Sequence, residues 1–195
     1  MSNEPFVPKE TLDAIERFAL VYADHQARQA WEALFLLQHR LKDAARPGRE
    51  PLMIQLRLSW WRDRLAEPAD HWPKGEPLLA RMAVWQAEAG ALIGLVDGWE
   101  AKVVGEDGGT ALESAQITAY VALGRLVGEK DMAAVQVTAE QLLNPATVAQ
   151  TPKRLSRKMR PLSILRAHAV RSAQGDSARP VANFAALLRI GLFGR

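Results

Sequence analysis

Apolar residues recur along this chain at intervals of three and four, and no stretch alternates between apolar and polar residues in the manner of a β-strand. An interval of three or four places side chains on one face of an α-helix, whereas a half-buried strand requires a period of two. No hairpin signal separates two β-branched segments either. The pattern therefore predicts an all-α fold of about eight or nine helices.

Capping and helix-breaking residues set the predicted helix boundaries. Thr110 and Asp131 are typical N-cap residues, and Pro51 suits a first helical turn. Glycines at 90, 94 and 98 either admit a close neighbouring helix or mark a break, which we expect near Gly90. The predicted helices span residues 9–23, 26–45, 51–67, 78–104, 111–127, 132–143, 160–173 and 180–193.

The segment 50–66, EPLMIQLRLSWWRDRLA, combines many apolar residues with two adjacent tryptophans. Its apolar residues include Leu52, Met53, Ile54, Leu56, Trp60, Trp61 and Leu65. These residues cover more than one face of a helix, which is typical of a helix surrounded by others. We therefore expect this segment to be a core helix.

Length and composition favour one soluble globular domain over residues 1–195. The hydrophobic content of 48% is sufficient for a sizeable core, and no cysteine is present for disulfides or thiolate metal sites. No apolar run approaches the roughly 20 residues of a membrane-spanning helix. The opening residues MSNEPFVPKE are unlike a secretory signal. We expect a cytoplasmic protein that is peripheral to a membrane at most.

The basic residues are concentrated at one end of the chain. From Pro152 to Arg195 there are ten lysines and arginines against the single Asp176, so this tail carries +9 while the rest carries −6. A basic tail suits an anionic partner or docks on its own acidic domain. Nucleic acid is disfavoured, because the tail's aromatics, Phe184 and Phe193, are expected in the core. The candidate membrane-binding residues are Lys153, Arg154, Arg157 and Lys158.

The common motifs for metal and nucleotide chemistry do not occur. The four histidines have no paired spacing of the HExxH kind, so a zinc site is not predicted. No phosphate-binding GxxxxGK[ST] or GxGxxG sequence and no GxSxG nucleophile elbow is present. These absences disfavour the common hydrolase and nucleotide-binding classes.

Five segments in order resemble the squalene/phytoene synthase family, particularly its short bacterial members and the related mitochondrial complex I assembly factor. The most specific segment is RLSWWRDRL at 57–65, which resembles the family's RLxWWRDxL helix. The others are ALFLLQHRLKDAAR, LVDGWEAKV, RPLSILRAHA and ALLRIGLFGR. The resemblance implies a trimmed isoprenoid synthase type of helical bundle.

Active members of this family join two isoprenoid diphosphates head to head, with Mg²⁺ held by two aspartate-rich motifs on facing helices. This chain departs from both motifs. Lys42 and Arg46 occupy the positions that match the first pair of aspartates, and Asp43 has no carboxylate three or four residues away. The segment Gln141–Asn144 echoes the second motif but continues with proline and alanine. The resemblance therefore implies a site that does not bind Mg²⁺ in the usual way.

The residues in this region admit two interpretations each. The basic residues either form an anion or diphosphate site or lie on a solvated helix face, and they are Arg40, Lys42, Arg46, Arg57 and Arg62. Asp97 and Glu100 either pair with Arg57 or Arg62 or, in an active enzyme, act with Asp43 as catalytic and Mg²⁺-binding carboxylates.

We expect a catalytically degenerate family member that acts by binding and needs no cofactor. The resemblance implies a role in assembling a respiratory membrane complex, with an anionic membrane surface and a subunit of that complex as partners. The alternatives are an active, Mg²⁺-dependent prenyltransferase of the squalene/phytoene synthase type, and a carrier that holds an isoprenoid or lipid.

Overall fold

The computed structural model describes residues 12–105, 107–147, 153–175 and 180–194. The described residues form α-helices joined by turns and short 3-10 segments, with no β-strand among them. The helices are α1 (Ala14–Val21), α2 (His25–Ala44), α3 (Pro51–Ala66), α4 (Pro77–Met82), α5 (Ala89–Val104), α6 (Thr110–Val127), α7 (Met132–Leu143), α8 (Arg160–Ala173) and α9 (Pro180–Phe193). The predicted all-α class is confirmed. The predicted start of the first helix at 9–11 lies outside the described residues.

The chain divides into two compact units. Among the described residues, unit one contains Leu12 and 32–119, and unit two contains 13–31 and 120–194. The expectation that residues 1–195 form a single domain stays a prediction.

In unit one, α3 packs along α5. Their contact buries leucines from both helices, including Leu58 and Leu95. At Gly98 of α5, an added Cβ would lie 2.7 Å from the Cα of Leu112 in α6. One of the three spaced glycines therefore does admit a close helix, whereas a Cβ at Gly90 or Gly94 would meet nothing within 4 Å.

The central helix α3 buries only one face. Ile54, Leu58, Trp61 and Leu65 are buried at spacings of four, three and four residues. The expectation of a helix surrounded on several sides is wrong, because four of its large apolar side chains are exposed to solvent. These are Leu52, Met53, Leu56 and Trp60.

The predicted break near Gly90 is confirmed as a 3-10 segment, Ala83–Glu88, between α4 and α5. The combined helical stretch Pro77–Val104 has the length and apolar composition of a membrane span. This differs from the expectation that no apolar stretch of the sequence is long enough. Within its most apolar window 33% of the residues are buried in this structure, and core helices of soluble proteins meet the same criterion. The length and composition of this stretch therefore do not distinguish a membrane span from a core helix of a soluble protein.

In unit two, α8 is the central helix, in contact with α1, α7 and α9. The indole nitrogen of the buried Trp31 donates a hydrogen bond of 2.8 Å to the carbonyl oxygen of Lys158, which ties α2 to the segment before α8. Gly191 of α9 lies against the ring of Tyr22. Phe184 and Phe193, predicted for the core, are exposed instead.

Candidate functional site

A groove of about 360 Å³ lies in unit one beside α2 and α3. We call it the α2–α3 groove, and it is lined by Arg40, Asp43, Ala44, Leu56, Arg57, Trp60, Trp61 and Glu76. Its volume is in the lower part of the range for small-molecule sites. The groove exists because α3 turns Leu56 and Trp60 away from the core, so that they form an apolar wall.

Two guanidinium groups and two carboxylates line the α2–α3 groove. Asp43 accepts a hydrogen bond of 2.9 Å from Nη2 of Arg49. Glu76 is the N-cap of α4, where its carboxylate accepts a hydrogen bond from the backbone N–H of Leu78. Both carboxylates are thus engaged, whereas among the described residues no ion pair involves Arg40 or Arg57. The available charge of the groove is positive.

The two rings of the tryptophan pair have different roles in this groove. Trp61 is buried in the core, and Trp60 is exposed and meets it edge to face, with ring centroids 5.0 Å apart. Adjacent residues point about 100° apart on a helix, so one ring can anchor α3 while the other remains at the surface. The arrangement fits a ligand that has an anionic group and an apolar part.

Asp97 and Glu100 of α5 are both bound by Arg62 of α3. The Nε of Arg62 donates to Oδ1 of Asp97 over 2.7 Å, and its Nη2 donates to Oε2 of Glu100. The hydrogen bond with Glu100 is the main reason that the pKa of Arg62 is raised. The prediction that Asp97 and Glu100 pair with Arg57 or Arg62 is confirmed, and the partner is Arg62.

The remaining predicted anion-binding residues are not gathered at the α2–α3 groove. Lys42 and Arg46 are exposed at the end of α2 and just after it, but neither lines the groove. Of the five basic residues predicted for an anion site, Arg40 and Arg57 line the groove, whereas Arg62 pairs with the carboxylates of α5.

The residues that echo the second family motif lie in unit two, at the end of α7. The side-chain oxygen of Gln141 accepts a hydrogen bond of 2.7 Å from Nε of Arg166 in α8. Burial lowers the pKa of Arg166. A neutral amide bound to a guanidinium offers no carboxylate oxygen to a hard cation at this position.

The four predicted membrane-binding residues differ in what they contact. The amino group of Lys158 donates to the carbonyl oxygen of Val127 over 2.8 Å, so it is engaged within unit two. Lys153 is largely exposed and reaches Asp131 over 3.5 Å. Arg154 and Arg157 are exposed. The exposed positive charge therefore comes from three of the four residues.

The apolar wall of the α2–α3 groove was missed from the sequence because Leu56 and Trp60 were assigned to the core. The available signal was the tryptophan pair itself, since only one of two adjacent rings can follow the buried spacing of Ile54 and Leu65.

No protein-family model, curated protein or solved structure matches this chain.

Proposed function

We propose that this chain is a catalytically degenerate relative of the squalene/phytoene synthases, with a trimmed isoprenoid synthase type of fold, and that it acts by binding. The proposal is supported by the charge at the positions matched to the first aspartate-rich motif. Lys42 and Arg46 stand there, and both side chains are exposed. Cationic side chains repel a magnesium ion at a place where carboxylates would bind it.

The observation that carries the proposal is the engagement of Asp97 and Glu100 by Arg62. These two carboxylates are the candidates for an alternative metal site in an active enzyme. A guanidinium that bridges both of them offsets one of their two negative charges and occupies oxygens that a metal ion needs. A divalent cation would have to displace Arg62 before it could bind.

The ligand that we propose for the α2–α3 groove is a phosphate or diphosphate carried on an apolar chain. Arg40 and Arg57 supply the positive charge for the phosphate oxygens, and guanidinium groups bind such oxygens in pairs of hydrogen bonds. Leu56 and Trp60 supply a surface for the chain. An isoprenoid diphosphate and a phospholipid both have this chemistry.

We propose the inner face of a membrane as the setting, in the assembly of a respiratory membrane complex and with a subunit of that complex as partner. The resemblance to the complex I assembly factor motivates this role. The exposed basic side chains of Lys153, Arg154 and Arg157 support a peripheral position at an anionic surface.

The absence of prenyl transfer is tested with farnesyl diphosphate and Mg²⁺, by measuring the release of pyrophosphate. We expect no release above the rate without protein. Mg²⁺-dependent release that the Asp97→Asn and Glu100→Gln variants abolish would overturn the proposal and establish an active prenyltransferase.

Ligand binding to the α2–α3 groove is tested by calorimetric titration with farnesyl diphosphate and with a short-chain phosphatidic acid, which separates the two ligand sources. The Arg57→Ala variant should weaken binding about tenfold or more, because a hydrogen bond to a charged group contributes about 1.5–3 kcal/mol. Lys42→Ala is the matched control, since Lys42 is an exposed cation close in sequence to the groove residues but outside the lining. Equal weakening by the two substitutions would show that the groove is not the site.

A further inference from the structure

The last helix, α9, exposes an apolar half to solvent. Leu192 is 62% exposed and Phe193 is 59% exposed, and the small residues Ala182 and Ala185 are exposed on the same side of the helix. Phe184 points to the other side, where its ring lies 5.8 Å from that of Phe18 between centroids. The helix contains no acidic residue, and its one charged residue is Arg189, which is also exposed. Large aromatic and aliphatic side chains on one exposed helix half mark an interaction surface.

The opposite side of α9 explains why the apolar half cannot turn inward. Leu187 and Gly191 face unit two, and an added Cβ at Gly191 would lie 2.7 Å from ring atoms of Tyr22. Residues 187 and 191 are one helical turn apart, so this narrow face is fixed by close packing. With that face held, Leu192 and Phe193 must point to solvent.

Positive charge surrounds the C-terminal end of α9. The Nη1 of the buried Arg160 donates hydrogen bonds of 3.0 Å to the carbonyl oxygens of Ile190 and Gly191. An added Cβ at Gly194 would lie 2.8 Å from Nε of Arg154 and 2.9 Å from the guanidinium carbon of Arg160. Two arginines therefore lie next to the exposed Leu192 and Phe193.

Among the described residues, no carboxylate pairs with Arg154, Arg157 or Arg160. Burial, and then repulsion from Arg154 and Arg157, lowers the pKa of Arg160. The Nε of Arg160 has no hydrogen-bond acceptor among the described residues. The nearby carboxylates serve other groups, because Asp131 caps α7 and pairs with Lys153 while Glu129 accepts from the backbone N–H of Ser156.

We propose that unit two docks on an anionic lipid bilayer through the α9 surface, which we define as Leu192, Phe193, Arg154 and Arg157. The apolar side chains would enter the boundary between headgroups and acyl chains, and the two arginines would hold lipid phosphates. Exposed apolar helices with basic surroundings bind membrane interfaces in this way. The inference rests on the peripheral position proposed above and adds an apolar anchor to it.

A second copy of the chain is a poorer occupant than a bilayer. A symmetric dimer places the same surface of both copies face to face. Arg154, Arg157 and Arg189 of one copy would then approach the same three cations of the other. Anionic headgroups instead complement all of these charges.

The test is co-sedimentation of the full chain with vesicles of pure phosphatidylcholine and with vesicles of equal parts phosphatidylcholine and phosphatidylserine. The double variant Leu192→Ser/Phe193→Ser should weaken binding by at least about 100-fold, because each buried apolar side chain contributes about 1.5 kcal/mol or more. The double variant Arg154→Gln/Arg157→Gln should weaken binding to the anionic vesicles about 30-fold, since each cation contributes about 1 kcal/mol near such a surface.

Matched controls change the same kinds of side chain in unit one. Leu52→Ser/Met53→Ser removes two exposed apolar side chains from α3, and Lys42→Gln/Arg46→Gln removes two exposed cations. Both controls should bind vesicles as the unaltered chain does, and circular dichroism should show that every variant is folded.

Three outcomes would overturn the proposal. One is no binding of the unaltered chain to anionic vesicles at low salt. Another is vesicle binding that depends on Arg154 and Arg157 but not on Leu192 and Phe193, which would leave the basic segment as the whole contact. The third is a dimer in solution that the Leu192→Ser/Phe193→Ser variant separates. The first outcome would also overturn the peripheral position proposed above, whereas the second would overturn only the apolar anchor. None of the three bears on the pyrophosphate measurement.

Discussion

The α2–α3 groove in unit one and the α9 surface in unit two both expose large apolar side chains, but their charged neighbours differ. The groove has guanidinium groups and carboxylates along its walls, and the carboxylates are engaged by Arg49 and by the start of α4. Beside the α9 surface, Arg154 and Arg157 have no carboxylate partner among the described residues, and the nearby Asp131 and Glu129 bind other groups. Apolar exposure alone does not specify a partner. The arrangement of charge separates a small anionic ligand in a groove from an extended anionic surface.

Arg62 in unit one and Arg160 in unit two also differ in the groups that bind them. Arg62 is half-buried and binds two carboxylates, so its charge is balanced where it lies. Arg160 is buried and donates to two backbone carbonyls, and no carboxylate among the described residues pairs with it. Ion pairs therefore hold Arg62 in place, whereas hydrogen bonds to the end of α9 hold Arg160.

The largest loss of stability that we expect comes from substituting the glycine in each unit that lies in close contact with a neighbouring element. Gly98→Ala should lower the free energy of unfolding by about 3 kcal/mol, because its Cβ would meet the backbone of α6, which cannot move aside. Gly191→Ala should lower it by about 1 kcal/mol, since the ring of Tyr22 can turn. Urea unfolding by circular dichroism measures both.

Gly94→Ala is the matched control for the glycine pair. It lies in the same helix as Gly98 with open space around it, so it should raise stability by about 0.5–1 kcal/mol through helix propensity. Five of the six tryptophans are in unit one, so fluorescence follows mainly that unit. A stabilising Gly98→Ala substitution would contradict the close packing of α5 on α6.

Replacing the two arginines gives the next largest effect. Arg160→Met should lower the free energy of unfolding by about 2 kcal/mol, because two carbonyls at the end of α9 lose their donor. Arg62→Met should cost less than about 1 kcal/mol, because ion pairs between partly exposed side chains contribute little. Lys42→Met controls for the loss of one cation. If Arg62→Met proved the more damaging, the contrast between the two arginines would be wrong.

The smallest effect that we expect is a loss of stability at low pH, and it involves one aspartate in each unit. Backbone N–H donors lower the pKa of Asp107 before α6 and of Asp131 before α7. Because each pKa is lower in the folded chain, this stabilisation is complete above the unfolded value of about 4 and is lost as the pH falls through the folded value.

Asparagine at position 131 separates titration from capping. Asp131→Asn keeps an oxygen acceptor for the N–H of Ala134 but cannot take up a proton. Its urea midpoint should therefore fall less than that of the unaltered chain when the pH is lowered from about 5 to about 3. Identical midpoints at every pH would show that the charge of Asp131 does not contribute.

Much of the local structure could be predicted from the sequence because its causes are local. The cap at Asp131, the proline that opens α3 and the interruption before Gly90 all act within a few residues. The N-cap predicted at Thr110 is wrong, because Thr110 is the first residue of α6 and the carboxylate of Asp107 accepts a hydrogen bond from the backbone N–H of Ala111 instead. The pairing of Asp97 and Glu100 with Arg57 or Arg62 was also predicted, since opposite charges on neighbouring helices attract. The structure shows that the partner is Arg62 and that all three side chains are partly exposed.

The errors concern which apolar side chains are covered. Leu52, Leu56 and Trp60 in α3, and Phe184 and Phe193 in α9, were all assigned to the core and are exposed. Helical spacing shows which side chains share a face, but it does not show which face meets a neighbour. When a helix is apolar on two sides, the spacing leaves two choices.

The amino-acid sequence was sufficient to predict the all-helical class, the approximate bounds of the helices and the excess of positive charge at one end of the chain. These properties follow from dihedral preferences, capping hydrogen bonds and composition, which act over short distances. The three-dimensional fold was needed to show that Arg40 and Arg57 share a groove with Trp60, and that Arg154 and Arg160 meet at the end of α9. Such juxtapositions depend on contacts between residues far apart in the chain, and no local pattern encodes them.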